Sequence, residues 1–251
     1  MIPGGPGMWT FRKRISNEKN ARKTRMDLEK IKQANALYTA ANVFQNSEEF
    51  EDIKVFFALQ QLYNSAIKEI KTKLEILDEE FQVKFDHNPI HHMEYRLKTP
   101  QSIVDKLVRK NFKVSAASIR QNLTDVAGVR VICNYIDDIN HIADLLTQQD
   151  DITLIRRRDY IAEPKPNGYR SLHLIVTVPV FLAETTEKVP VEIQIRTTAM
   201  DFWASLEHGL KYKAEDKISE ELRRRLKDCA ESITRLDAEM QSIYKEINPD
   251  R

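Results

Sequence analysis

The sequence predicts an α/β (α+β) fold, a mixed central β-sheet of about five strands flanked by helices, with long helices toward the N- and C-terminal ends. Three observations predict it. Apolar residues recur at helical spacing across two long stretches, from Glu48 to about Lys84 and through ISEELRRRLKDCAESITRLDAEMQSIYKEI. Short runs rich in valine and isoleucine alternate apolar with polar side chains between turn-rich connections. The hydrophobic share, 41% of 251 residues, is enough to bury a sizeable core.

Residues 1–47 are strongly charged and read as a solvated arm or helix, with MIPGGPGM at the very start resembling an expression remnant or a frayed terminus. Ile53, Phe56, Phe57, Leu62, Ala66, Ile70, Leu74, Leu77 and Phe81 then mark the buried face of the first long helix. DHNPIHHMEY reads as a loop, and in RLKTPQSIVDKLVRKN a helix starts with Thr99 as N-cap and Pro100 as first residue, runs to about Lys110 and buries Ile103 and Leu107. VAGVRVICNY is a strand, and DDINHIADLLTQQ a helix with Ile139, Ile142, Leu145 and Leu146 inward. ITLIRRRDYI, YRSLHLIVTVPV and VPVEIQIRT supply further strands, and TTAMDFWASLEHGLKYK a closing helix. In the last helix Leu222, Leu226, Cys229, Ile233, Leu236, Met240 and Ile243 follow steps of four and three, a coiled-coil-like seam that either folds back on the first long helix or pairs with another chain.

Composition excludes several classes of function. A formal charge of +1 gives no global field toward nucleic acid or membrane, so an anion site must be local. Two cysteines without CxxC spacing indicate neither a metal knuckle nor a disulfide framework, which fits a reducing cytoplasm. No apolar run is long enough to span a bilayer. Outside MIPGGPGM only Gly128, Gly168 and Gly209 remain, too dispersed for a glycine-rich phosphate loop. Nucleotides would therefore be held by side chains and helix ends.

Candidate chemistry clusters on the strands. In VEIQIR, alternation puts Glu192, Gln194 and Arg196 on one face and Val191, Ile193 and Ile195 on the other; in YRSLHLIV it groups Tyr169, Ser171 and His173. If those strands pair, their polar faces form one concave site. Asp125, at the start of DVAGVRV, and Glu192 on a neighbouring strand suit a shared hard cation, for which Mg²⁺ beside phosphate oxygens is the usual case. Ser102 and Lys106 lie one turn apart on the helix that begins at TPQSIVDK, with Arg96 and Lys98 just before it, so cations and helix N–H groups together make a polyphosphate cradle. His87, His91 and His92 fit surface or hydrogen-bonding roles better than a transition-metal site.

RLKTPQSIVDK, DVAGVRV, YIAEPKPNGYRSLH, EIQIRT and MDFWASLEH occur in an order and at spacings that closely resemble the synthetase domain of the RelA/SpoT family. The resemblance covers about residues 48–214, leaving 215–251 as an amphipathic oligomerisation helix. With no His-Asp hydrolase domain upstream and no regulatory domains downstream, it implies a small alarmone synthetase, of the RelP type in preference to the RelQ type. It implies transfer of the β,γ-pyrophosphate of ATP to the 3′-hydroxyl of GDP or GTP, with Mg²⁺ as cofactor, in a cytoplasmic homotetramer. By the same resemblance Arg96 and Arg130 sandwich adenine, and Lys98, Ser102 and Lys106 grip the ATP phosphates. Asp125 and Glu192 hold the metal, Glu192 takes the hydroxyl proton, Tyr169 stacks on guanine, Lys165, Arg158 and His173 neutralise acceptor phosphates, and Gln194 orients the ribose or Glu192. The rival readings are an inactive nucleotide-binding regulator of the same fold, an RNA-binding module using RKRISNEKNARKTR, which lacks interleaved aromatics, and a structural oligomer.

Overall fold

Helix caps and strand alternation place the elements. The computed structural model describes residues 48–214 and 219–249. The readings of residues 1–47 as an arm and of MIPGGPGM as a remnant lie outside the described residues. The chain divides into two units, Met1–Phe56 and Phe57–Arg251; of the first, only the opening turns of helix α1 (Glu48–Lys84) are described. Along α1 the buried stripe is Leu59, Leu62, Tyr63, Ala66, Ile67, Ile70, Leu74 and Phe81. Phe57, expected inside, is 38% exposed because the stripe turns with the helix and Leu59 and Tyr63 take its place.

DHNPIHHMEY is not the expected loop. Ile90–Leu97 forms strand β1, antiparallel to β2 (Ala127–Cys133) with Glu94 opposite Arg130 and Arg96 opposite Gly128. As an edge strand it buries only Ile90 fully, so its sequence carries no strong alternation. Helix α2 (Pro100–Arg109) begins where its cap predicts: the Thr99 side chain accepts from the Ser102 N–H at 3.3 Å, and Pro100 occupies the first turn. The seven-residue α3 (Ala116–Asn122), which no periodicity signalled, follows.

Helix α4 (Ile136–Thr147) buries Ile139, Ile142, Ala143 and Leu146 completely. Leu145, expected among them, stays half-buried at the edge of that stripe. Strands β3 (Thr153–Asp159), β4 (Leu172–Phe181) and β5 (Thr186–Thr197) complete a sheet of order β1-β2-β5-β4-β3. Only the β2–β5 pair is parallel. Val129, Val131, Leu172, Leu174, Val191, Ile193 and Ile195 line its apolar face, all at 2% exposure or less, with α4 packed on β2, β4 and β5. Each such side chain contributes roughly 1.5–3 kcal/mol. Packing one face so fully leaves the opposite face open to a cleft.

Helix α5 (Thr198–Ala214) touches β2, β5 and α6 (Glu220–Ile247). The expected seam of α6 is not its buried side. Leu222, Leu236, Met240 and Ile243 are 41–60% exposed, and Cys229 is exposed. The helix instead rests on α5 through buried Ala230 and the seam residue Ile233, which pack with Trp203 and Ala204, and elsewhere through a polar and aromatic stripe. Thr197 donates to Asp237 at 2.6 Å, the Asp137 N–H donates to Gln241 at 3.0 Å, and Tyr244 stacks on Tyr135 at 4.1 Å. Apolar spacing finds only Ile233 of this inward face, because much of the docking is made by hydrogen-bonded polar groups.

Candidate active site

Pairing of β5 with both β2 and β4 gathers the expected polar residues. Gln194 lies opposite Arg130 on one side and His173 on the other, Glu192 lies opposite Gly128 and Ile175, and Arg158 lies opposite His173. Directly opposed residues share a sheet face. The open face therefore runs from Arg96 on β1 through Arg130, Gln194 and His173 to Arg158 on β3. Gly128 keeps the floor low beside Glu192, since it adds no side chain there. A Cβ at Gly128 would meet only the Arg96 carbonyl oxygen, at 3.4 Å.

Two cavities adjoin on this face. One, of about 800 Å³, is lined by Arg96, Lys98, Arg130 and Gln194. The other, of about 310 Å³, is lined by Lys106, Arg156, Arg158, Tyr160, Lys165 and His173. Asp125 and Glu192 are the two residues that line both. Asp125 lies just before β2, in the link from α3.

Lys98 and Lys106 both donate to Asp125 Oδ2, at 2.7 and 2.5 Å. Its Oδ1 is buried without a hydrogen-bond partner among the described residues. Burial pushes the Asp125 carboxyl up, but hydrogen bonds from Lys106 and Lys98 and their charges prevail and hold it below the usual aspartate value. A carboxyl lowered in the folded state contributes stability that is full above the unfolded value, 3.8, and fades as pH falls through the lower folded one. In metal-free buffer the Tm gap between wild type and Asp125→Asn should therefore be widest near neutrality and shrink as pH drops below 3.8. Thermal melts across that range check this, and a gap independent of pH contradicts it.

Glu192 sits within a closed ring of contacts. His173 Nδ1 lies 3.5 Å from Glu192 Oε1, and Gln194 Nε2 donates to Oε2 at 2.9 Å. Tyr169 Oη meets His173 Nε2 at 2.8 Å, and Arg196 Nη2 donates to Gln194 Oε1 at 2.5 Å and to Tyr169 Oη at 3.4 Å. Burial pushes the Glu192 carboxyl up, yet the hydrogen bond and charge of His173 and the Gln194 amide outweigh it and hold the group below its usual value, against the opposing charge of Asp125.

The remaining expected residues are placed less directly. Tyr169 and Ser171 precede β4, and Tyr169 meets His173 as expected, hydroxyl to Nε2 at 2.8 Å; Ser171 is fully buried and donates to the Ile195 carbonyl at 3.2 Å. The Tyr169 ring packs against the Trp203 and Ala230 cluster. Lys165 Nζ sits 4.5 Å from its centroid and 4.6 Å from that of Tyr160. Ser102 lines neither cavity, and its Oγ accepts from Thr99. Arg130 pairs with Glu94 at 2.5 Å and lies 3.7 Å from Asp201. His87 pairs with Asp138 at 2.9 Å and His91 with His92 at 2.8 Å; among the described residues no three His, Cys, Asp or Glu side chains are grouped to hold a metal. Sequence reasoning missed Arg156, Tyr160, Glu94 and Asp201. For Arg156 the signal was present, since β3 alternation puts it on the face of Arg158.

Cations from three strands, a helix and two connecting segments, converging on two carboxylates between two cavities, define a protein built to bring two anionic ligands together. Residues 95–217 match the family model described as the region found in RelA / SpoT proteins. GTP pyrophosphokinase YwaC of Bacillus subtilis (strain 168) is 44% identical over 187 residues, 74% of this chain and 89% of that protein. The crystal structure of small alarmone synthetase 1 from Bacillus subtilis bound to its product pppGpp aligns with a TM-score of 0.70 at 40% identity, covering 74% of this chain and 94% of that one. A crystal structure of the same synthetase bound to AMPCPP aligns with a TM-score of 0.67 at 35% identity, covering 78% and 99%. The chain belongs to the RelA/SpoT family.

Proposed function

We propose that this chain is a (p)ppGpp synthetase, a GTP/GDP pyrophosphokinase that moves the β,γ-pyrophosphate of ATP to the 3′-hydroxyl of GDP or GTP. The 3′-oxygen bonds to the β-phosphorus, the bond from that phosphorus to the α–β bridging oxygen breaks, AMP leaves, and the hydroxyl proton passes to Glu192. The observation that carries the reading is the shared position of Asp125 and Glu192, where a donor in one cavity and an acceptor in the other would meet. The relatives named GTP pyrophosphokinase and small alarmone synthetase support it.

The larger cavity is the ATP side. Arg96 and Arg130 offer planar guanidinium groups to adenine, and Lys98, together with Lys106 reaching across Asp125 from the wall of the smaller cavity, is drawn from that carboxylate toward phosphate as the nucleotide enters. Ser102 belongs to this reading only if the cap it forms with Thr99 rearranges. The smaller cavity is the acceptor side: Arg158, Lys165 and His173 meet phosphates, with Arg156 beside them. Tyr169 takes the guanine once Lys165 leaves its ring. Gln194 fixes the orientation of Glu192.

The residues present fit a magnesium ion. Hard oxygen ligands suit it, and Asp125 Oδ1 is a buried acceptor with nothing to accept among the described residues. When bound, magnesium would acidify the attacking hydroxyl and offset charge on the transferring phosphates. Alignment and charge neutralisation then supply most of the rate.

Assembly belongs to the same proposal. The exposed α6 seam around Leu236, Met240 and Ile243 is the surface on which copies of the chain associate into a homotetramer. A single-chain mass by light scattering at micromolar concentration overturns that part. A cytoplasmic setting, the RelP type, the division into an arm (1–47), a synthetase domain (48–214) and an assembly helix (215–251), and a lack of RNA binding complete the reading. No helix among the described residues is long and apolar enough to cross a membrane. Incubation with ATP, magnesium and GDP or GTP in turn should yield AMP with the 3′-pyrophosphorylated nucleotide. Absence of product with both acceptors overturns the reading in favour of an inactive regulator.

A further inference from the structure

Arg196 has no role in the reaction as described, yet every contact around Glu192 leads back to it. It ends the polar face of β5, is 2% exposed, and carries a charge that burial disfavours. Burying a guanidinium is tolerated only when its fork is well matched. Here Nη2 donates to Gln194 Oε1 and to Tyr169 Oη, while Nη1 donates to Asp201 Oδ1 at 3.3 Å; Nε is left without a partner among the described residues.

Two arms lead from Arg196 to Glu192, and on the first the donor direction is fixed by chemistry. Because the Gln194 oxygen accepts from Arg196, its amide nitrogen must be the atom facing Glu192 Oε2. The phenol oxygen of Tyr169 likewise accepts from Arg196 and meets His173 Nε2 at 2.8 Å, while the other ring nitrogen, Nδ1, faces Glu192 Oε1 at 3.5 Å. Both arms run from Arg196 and end on the two oxygens of one carboxylate. Asp201, which anchors Arg196, also faces Arg130, so the same fork is joined to the wall of the larger cavity.

We infer that Arg196 is a positioning residue that holds Glu192 and Tyr169, and with them the two halves of the cleft, in one fixed register. It lines neither cavity. The inference rests on the roles proposed above for Glu192 and Tyr169, and it adds that those roles are set by a guanidinium fork rather than by backbone pairing alone. A lysine at 196 would keep the charge and lose the fork, since one ammonium cannot reproduce two planar N–H directions.

The test is a kinetic cycle on the full chain, with binding of a non-hydrolysable ATP analogue as the folding control. Arg196→Lys and Arg196→Met should each lower kcat by about 100-fold, as misplacement near 1 Å does. Affinity for the analogue should stay within about threefold. Gln194→Met and Tyr169→Phe, which each cut one arm, should lower kcat by about 10-fold, an effect of the size expected when one oriented hydrogen bond is lost. Either one combined with Arg196→Lys should cost no more than Arg196→Lys alone, because the arms act only through the fork. Full activity in Arg196→Lys, or losses that multiply in the combinations, overturns the inference. If Arg196→Met does not fold, Tyr169→Phe, Gln194→Met and Arg196→Lys still decide it. Wild-type product formation and Glu192→Gln separate the levels: no product from the wild-type chain overturns the functional reading, retained turnover in Glu192→Gln removes the role of Glu192, and a silent Glu192→Gln with a cycle that multiplies removes only the role of Arg196.

Discussion

Glu192→Gln should abolish turnover while sparing the ATP side. The change removes the negative charge at the junction of the two cavities but keeps the shape of the side chain. An amide cannot take the hydroxyl proton and is a poor ligand for a hard cation, so two contributions are lost together. General acid–base catalysis alone is worth about 10²–10⁴-fold, so a fall in kcat of at least about 1000-fold is expected. Arg96, Lys98 and Arg130 are untouched, and affinity for a non-hydrolysable ATP analogue should change by less than about threefold, the scale of lost uniform binding being small here. Quenched-flow product assays beside analogue binding measure both numbers. Normal turnover removes the proposed role, and a collapse of analogue binding means the residue supports structure instead. The sign of the pH dependence follows from the lowered carboxyl. Glu192 is ionised near neutrality, and its share of the rate falls only as pH drops below 4.5 through its depressed folded value.

How far the sequence alone led depended on whether a feature was local. The α2 cap was readable because Thr99 and Pro100 sit next to each other in the chain and act through the first turn. The polar face of β5 was readable because alternation along one strand needs no partner. Strand β1 was not, since an edge strand with one fully buried residue leaves almost no hydrophobic pattern. The inward stripe of α6 failed in large part for a related reason: beyond Ala230 and Ile233 it is built from Asp237, Gln241 and Tyr244, whose partners lie on distant segments. At the cleft, single strands named the acid, the amide and the histidine. Their joining into a ring through Arg196 required β5 to lie between β2 and β4, a non-local pairing that no window of sequence contains.

Gly168→Ala should damage the acceptor side far more than so small a change suggests. Gly168 has φ +90, and a Cβ built there would stand 2.6 Å from the Cβ of Ala230 on α6. Carbon atoms in ordinary contact keep about 3.5–4.0 Å, so loop and helix would have to part by about 1 Å. Adding the conformational penalty at positive φ to this overlap gives a stability loss of roughly 2–4 kcal/mol. The helix is pinned nearby, by Trp203 donating to the Leu226 carbonyl at 2.9 Å and by Thr197 donating to Asp237, so the loop is the part that yields. That loop carries Lys165 and Tyr169, closed on each other by Gly168 N–H to the Lys165 carbonyl at 2.8 Å and Lys165 N–H to the Tyr169 carbonyl at 3.2 Å. Displacing both should raise KM for GDP or GTP at least about 10-fold, with ATP-analogue affinity unchanged, since misplacement of this size is costly. Ala230→Gly placed in the same chain removes the clashing methyl and should recover much of the acceptor KM. It should not recover Tm, because the strained φ persists and a helical glycine costs about 1 kcal/mol more. A Gly168→Ala protein with wild-type acceptor KM and wild-type Tm would show that α6 does not buttress the loop, and that the last helix is separable from the chemistry.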